Sequence, residues 1–131
     1  MSMKSFKILV ADDDQESRDL LCEVLHANGY FVRAVGDGAA AREELGRDGG
    51  YLVVIADVRM PGEGGLELLR NVRQQKSNQP IILMSSFISD SERRLAQDLG
   101  AQALLEKPFR LTELLQVVEG VVHQGPIPIP T

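Results

Sequence analysis

The run "YLVVIAD", residues 51–57, constrains this chain more than any other stretch, because it is apolar almost to its last residue. A strand with one wet face alternates apolar and polar side chains. An unbroken apolar run of this length needs cover on both faces, the condition of a strand inside a parallel sheet. Four other segments read as strands: "FKILVA" (6–11), a compact apolar run, "YFVRAV" (30–35), "PIILMSS" (80–86) and "AQALLEK" (101–107).

The intervening segments carry helical patterns. "DDDQESRDLLCEVLHANG" sets Leu20, Leu21, Val24 and Leu25 at helical spacing and stops at Asn28-Gly29. "AAAREELGRDGG" is a helix closed by glycines, and Leu66, Leu68, Leu69 and Val72 form a face after the Met-Pro-Gly break. "SDSERRLAQDLG" is a polar-faced helix with Ser89 or Asp90 as its cap. Beyond Pro108, Leu111, Leu114, Leu115, Val118 and Val122 mark a last amphipathic helix. Five strands alternating with five helices over short connections predict one doubly wound α/β domain over residues 1–124. The flavodoxin-like strand order 2-1-3-4-5 is among its few allowed topologies. Residues 125–131, "GPIPIPT", cannot continue a helix and read as an extended tail or the start of a linker.

Charge narrows the function classes. The net charge is -5 and the basic residues are dispersed among acids, which argues against a nucleic-acid surface. Cys22 is the only cysteine, so no intrachain disulfide forms and a cytoplasmic, reducing setting fits. Its place in "DLLCEVL" reads as that of a small core residue. No apolar stretch approaches the length of a membrane span.

In sheets of this kind ligands bind outside the carboxyl ends of the strands. Asp12-Asp13-Asp14, Asp57, Ser85-Ser86 and Lys107-Pro108 stand at the ends of the first, third, fourth and fifth strands. In the order 2-1-3-4-5 those strands are neighbours, so the groups converge on one edge. Clustered carboxylates repel and call for a cation; hard oxygen donors suit Mg²⁺. A lysine and a hydroxyl facing the same point complement phosphoryl oxygens. Asp57, alone on the central strand, is then metal ligand, nucleophile or both. Singly, each group has an ordinary reading as a turn acid, a loop hydroxyl or a solvated lysine. Their arrival at four neighbouring strand ends favours a site.

Four segments carry a resemblance. "ILVADDD", "DVRMPGEGG", "PIILMSS" and "GAQALLEKPF" resemble, in order and spacing, the signature segments of the receiver domain of two-component response regulators, over residues 6–122. The resemblance implies the 2-1-3-4-5 fold, so that strand order is no longer an independent expectation. It implies that Asp57 accepts a phosphoryl group from a sensor histidine kinase or phosphotransfer protein. By the same resemblance Mg²⁺ would be bound directly by Asp13, mainly through water by Asp12, and by Asp57 and the Arg59 backbone carbonyl. On the same resemblance Lys107 would pair with the phosphoryl oxygens, Ser85 would supply the switch hydroxyl, and Lys107-Pro108 would be cis. A switched surface of the fourth helix, fifth strand and fifth helix then signals to an output domain or partner protein, in transcriptional regulation among other outputs. A homodimer through that face is also compatible. Such a domain promotes only its own phosphorylation and dephosphorylation, and is not otherwise an enzyme.

Leu104 departs from the pattern, standing where receivers often carry a switch aromatic. Arg59 and Phe87 occupy positions that tune water access, and are expected to alter the phosphoryl lifetime. Three competing readings are a phosphorylation-independent docking or dimerisation module, an aspartyl phosphatase and a flavin-binding domain. Arg59 opposes the phosphatase, since it stands where a second acid is needed. The crowd of acids opposes flavin binding, which needs a phosphate-cradling loop.

Overall fold

The computed structural model describes residues 6–124. The elements alternate along the chain as β1 (Lys7–Ala11), α1 (Gln15–Ala27), β2 (Phe31–Val35), α2 (Gly38–Arg47), β3 (Tyr51–Asp57), α3 (Gly65–Gln74), β4 (Ile81–Ser85), α4 (Asp90–Asp98), β5 (Ala103–Glu106) and α5 (Leu111–Gln124). All strand pairs are parallel and the order is β2-β1-β3-β4-β5. The fold is the expected flavodoxin-like one. The proline-rich tail read from the sequence lies outside the described residues. No described helix is long and apolar enough to cross a membrane.

The central strands β1, β3 and β4 are dry on both faces, their successive side chains pointing to opposite sides, while the edge strand β2 carries no buried residue. Leu9, Ala11, Val54, Ala56, Ile81 and Leu83 share one core with α2, α3 and α4. Ile8, Val10, Val53, Ile55, Ile82 and Met84 share the other with α1 and α5. Every residue of β4 and all but Leu52 of β3 are buried, as the unbroken apolar runs require.

Several local expectations shift. Leu20 is 48% exposed, since the 100° advance per residue turns it off the stripe set by Leu21 and Leu25. In α5 the buried stripe runs Leu114, Val118, Val121 rather than ending on Val122. The second helix stops at Arg47, before the glycines expected to close it. Cys22, expected in the core, is half-buried, and burial, with Asp19 beside it, pushes its thiol above the ordinary value.

At the amino end of the sheet, Glu44 of α2 is buried and accepts a 2.5 Å hydrogen bond from the Tyr51 hydroxyl. Arg47 and Arg33 pair with the same carboxylate. The Tyr51 bond, against the opposing effect of burial and with help from the two arginines, holds the Glu44 carboxyl below its ordinary range. Burial and the Glu44 carboxylate push the Tyr51 phenol up to about 12. On the opposite edge, α3 begins hard against the end of β3. A Cβ on Gly64 would lie 2.2 Å from the Val58 carbonyl oxygen, and one on Gly65 2.8 Å from that of Asp57. Only glycine allows this approach, which fixes the loop after Asp57. Arg73 joins the far ends of α3 and α4, donating to the carbonyls of Leu99 (2.7 Å) and Gly100 (3.0 Å).

Two outcomes follow for stability. A phenol whose pKa is raised on folding stabilises the fold fully below its unfolded value, about 10, and that contribution fades as pH rises through about 12. Urea midpoints measured from pH 9 to pH 12 should therefore fall more steeply for the parent than for Tyr51→Phe. Gly64→Ala should cost about 2–3 kcal/mol, because the obstructing atom is backbone and cannot move aside. Chemical denaturation at neutral pH checks it.

Candidate functional site

Asp57 ends β3, pairs in register with Met84 of β4 and is 7% exposed. Its Oδ1 accepts the Arg59 backbone N–H at 2.8 Å, and its Oδ2 accepts Lys107 Nζ at 2.7 Å. Asp12, the residue after β1, is fully buried. Its Oδ1 accepts the Asp14 N–H at 3.0 Å, and its Oδ2 lies 3.5 Å from Lys107 Nζ. The Arg18 guanidinium donates to the Asp12 carbonyl at 2.6 Å, pinning the turn before α1. Lys107 follows β5; its N–H donates to the Ser85 carbonyl at 2.8 Å, and the Lys107-Pro108 bond is cis. Three strand ends thus deliver two carboxylates and one ammonium to one point.

Buried charges persist only when paired. Burial works against the Lys107 ammonium, but the hydrogen bond and charge of Asp57, then those of Asp12, outweigh it and raise its pKa. Lysine is therefore charged throughout the neutral range, and the buried pair of acids outnumbers it.

The other candidate residues take distinct places. Asp13 is exposed and lines an open cleft of about 430 Å³ with Val58, Arg59, Met60, Gly62 and Glu67. Ser85 is fully buried, and its hydroxyl is engaged by the next loop, donating to the Phe87 carbonyl at 2.6 Å and accepting the Phe87 N–H at 3.2 Å. Leu104 pairs with Leu83 and packs, half-buried, on the core shared with α4.

The acidic side chains at these strand ends, Asp12, Asp13 and Asp57, offer hard oxygen donors. That set fits a hard divalent cation such as Mg²⁺, which keeps part of its water shell and needs few protein ligands. Among the described residues no three acidic, histidine or cysteine side chains are drawn together as a ready-made cluster. Asp12 and Asp57 share Lys107 while Asp13 stands on the cleft, so water would complete the shell.

One partner escaped sequence reasoning. The Arg59 guanidinium reaches across the strand ends to Glu92 of α4, with 2.7 Å contacts to both carboxylate oxygens. The cap pattern "SDSE" was the available signal. Ser89 caps α4 as expected, and Glu92 completes a capping box with it. Nothing in the local sequence pointed from Glu92 to a residue so far back in the chain.

A profile of the response regulator receiver domain matches residues 8–119. The chain is 38% identical over 118 residues to Response regulator MprA of Mycobacterium leprae, covering 90% of this chain and 51% of that protein. It is 36% identical over 127 residues to Transcriptional regulatory protein GltR of Pseudomonas aeruginosa, covering 95% and 52%. It therefore spans about half the length of these relatives. The structure of the Francisella response regulator 1452 receiver domain is similar to it with a TM-score of 0.84 and 30% identity, covering 92% of this chain and 98% of that one. With the sheet order and the Asp12–Asp57–Lys107 constellation in place, these likenesses settle the kinship: the chain belongs to the response regulator receiver domain family.

Proposed function

We propose that this domain is a phosphorylation-dependent switch that takes a phosphoryl group onto Asp57 from a sensor histidine kinase or phosphotransfer protein in the cytoplasm. The observation that carries this reading is Lys107 Nζ, held 2.7 Å from Asp57 and 3.5 Å from Asp12. A nucleophilic carboxylate at a rigid strand end, with a charged ammonium already beside it, is arranged for in-line transfer. As an Asp57 oxygen bonds to phosphorus, the bond from phosphorus to the donor's imidazole nitrogen breaks, and its electron pair stays on the imidazole. The product is an aspartyl phosphate. Lys107 neutralises charge on the transferring group, so positioning and electrostatics supply most of the rate. Mg²⁺, held by Asp13, Asp57, the Arg59 carbonyl and, through water, Asp12, would supply further charge neutralisation at the same oxygens. Ser85 leaves Phe87 to hydrogen-bond the phosphoryl group, and the surface of α4, β5 and α5 changes with it, signalling to an output domain or partner protein. The relatives named as regulators of transcription support an output of that kind.

A second reading, a docking module indifferent to phosphorylation, draws on Leu104, which offers neither ring nor hydroxyl at the β5 position where receivers often carry an aromatic.

Intact mass after incubation with acetyl phosphate should show one Mg²⁺-dependent phosphoryl adduct in the parent and none in Asp57→Ala. Folded parent protein with no adduct under any condition would leave the docking module standing. Lys107→Ala should slow adduct formation about 100-fold, the scale of losing one preorganised electrostatic donor. Asp13→Asn should weaken Mg²⁺ binding, read by titration of the phosphate-free protein; unchanged binding would remove Asp13 from the ligand set.

A further inference from the structure

The contacts of Arg59 form one connected set from the loop after Asp57 to the start of α4. Its guanidinium holds both Glu92 oxygens at 2.7 Å and lies 3.4 Å from the Phe87 carbonyl. That same carbonyl accepts the Ser85 hydroxyl at 2.6 Å. Glu92 Oε1 in turn accepts the Ser89 N–H at 3.0 Å at the first turn of α4. At its other end α4 is tied to α3 by Arg73. The helix is therefore held at both ends by arginines, and only the Arg59 end borders the site.

We infer that the Arg59–Glu92 pair is a latch that holds the amino end of α4 on the loop after β3, with Glu92 as the positioning residue for Arg59, and that a phosphoryl group on Asp57 opens it. The inference rests on the reading of Asp57 as phosphoacceptor. Two physical reasons carry the opening. Phosphorylation replaces the single carboxylate charge of Asp57 by a phosphoryl charge of about −2, two residues from Arg59, and offers oxygens that match a guanidinium's paired donors. When the Ser85 hydroxyl turns toward that group, the Phe87 carbonyl loses its 2.6 Å donor. The Arg59 guanidinium, already 3.4 Å away, is placed to replace it once released from Glu92. Because coupling is reciprocal, weakening the latch also favours the state that accepts phosphate. The pair is partly exposed, with Arg59 at 54% and Glu92 at 23%. Its loss is therefore worth roughly a two- to fivefold change in population.

The test follows amide exchange over residues 86–93 in the full chain for the parent, Arg59→Gln, Glu92→Gln and the double variant, each with and without Mg²⁺ and beryllofluoride as phosphoryl mimic. Glutamine at position 92 still accepts the Ser89 N–H and serves in a capping box, so Glu92→Gln removes the ion pair and spares the helix cap. Without the mimic, each single variant should exchange roughly two- to fivefold faster than the parent. The double variant should exchange no faster than either single, since the pair can be broken only once. Parent protein with Mg²⁺ and beryllofluoride should reach the variants' rate, and initial phosphorylation by acetyl phosphate should rise by the same factor in the single variants. Parent-like exchange in Glu92→Gln, or effects that add in the double variant, would overturn the latch while leaving the parent's phosphoryl adduct intact. No adduct on the parent would instead overturn the phosphoacceptor reading, and the opening step with it.

Discussion

A carboxylate at the end of a strand buried on both faces must find positive charge, and much of this molecule answers that requirement. Asp57 closes β3, whose side chains feed both cores, and it has little water of its own. The charge comes from Lys107, at the end of a strand two places along the sheet. That lysine also serves Asp12, from the strand on the other side of β3. The three groups meet only because parallel strands β1, β3, β4 and β5 all end on the same edge. Parallel pairing in turn requires helices on both faces, so the position of one ammonium depends on the whole α/β winding.

The close approach of α3 serves the same end. Gly64 and Gly65 bring the helix start against the Val58 and Asp57 carbonyls. Glu67 accepts the Gly64 N–H, and Glu63 reaches Arg42 of α2 and Asn71 of α3. The loop after Asp57 is therefore anchored on its α2 and α3 side by backbone contact and several polar bonds. On its α4 side the side-chain anchor is Arg59. A loop fixed firmly on one flank and by the contacts of one partly exposed arginine on the other yields first on the second.

This asymmetry also marks what could be read from the sequence. The strands, the burial of β1, β3 and β4, and the convergence of Asp12, Asp57 and Lys107 were legible, because unbroken apolar runs dictate a parallel sheet and such sheets present their strand ends together. Leu20 was misplaced because helical spacing alone does not say where the buried stripe is centred. The orientation of the Ser85 hydroxyl depends on the loop backbone of Phe87, which no residue pattern encodes. Glu92 serves locally in the capping box of α4, and nothing in that local pattern points to its long-range partner.

Leu104 gives these contacts their weight. Half-buried among apolar neighbours, it can repack, but it has no polar atom to carry a signal between the site and the surface of α4 and β5. Polar links from the strand ends toward α4 must then run elsewhere. The Ser85 hydroxyl, the Phe87 carbonyl, the Arg59 guanidinium and the Glu92 carboxylate form such a route, each in contact with the next. Glu92 lies in the first turn of α4, where its charge opposes the helix dipole favourably, and Ser89 and Arg59 hold its carboxyl below the ordinary range. It remains ionised across the neutral range, so the grip on Arg59 responds to a competing phosphate rather than to modest changes in pH.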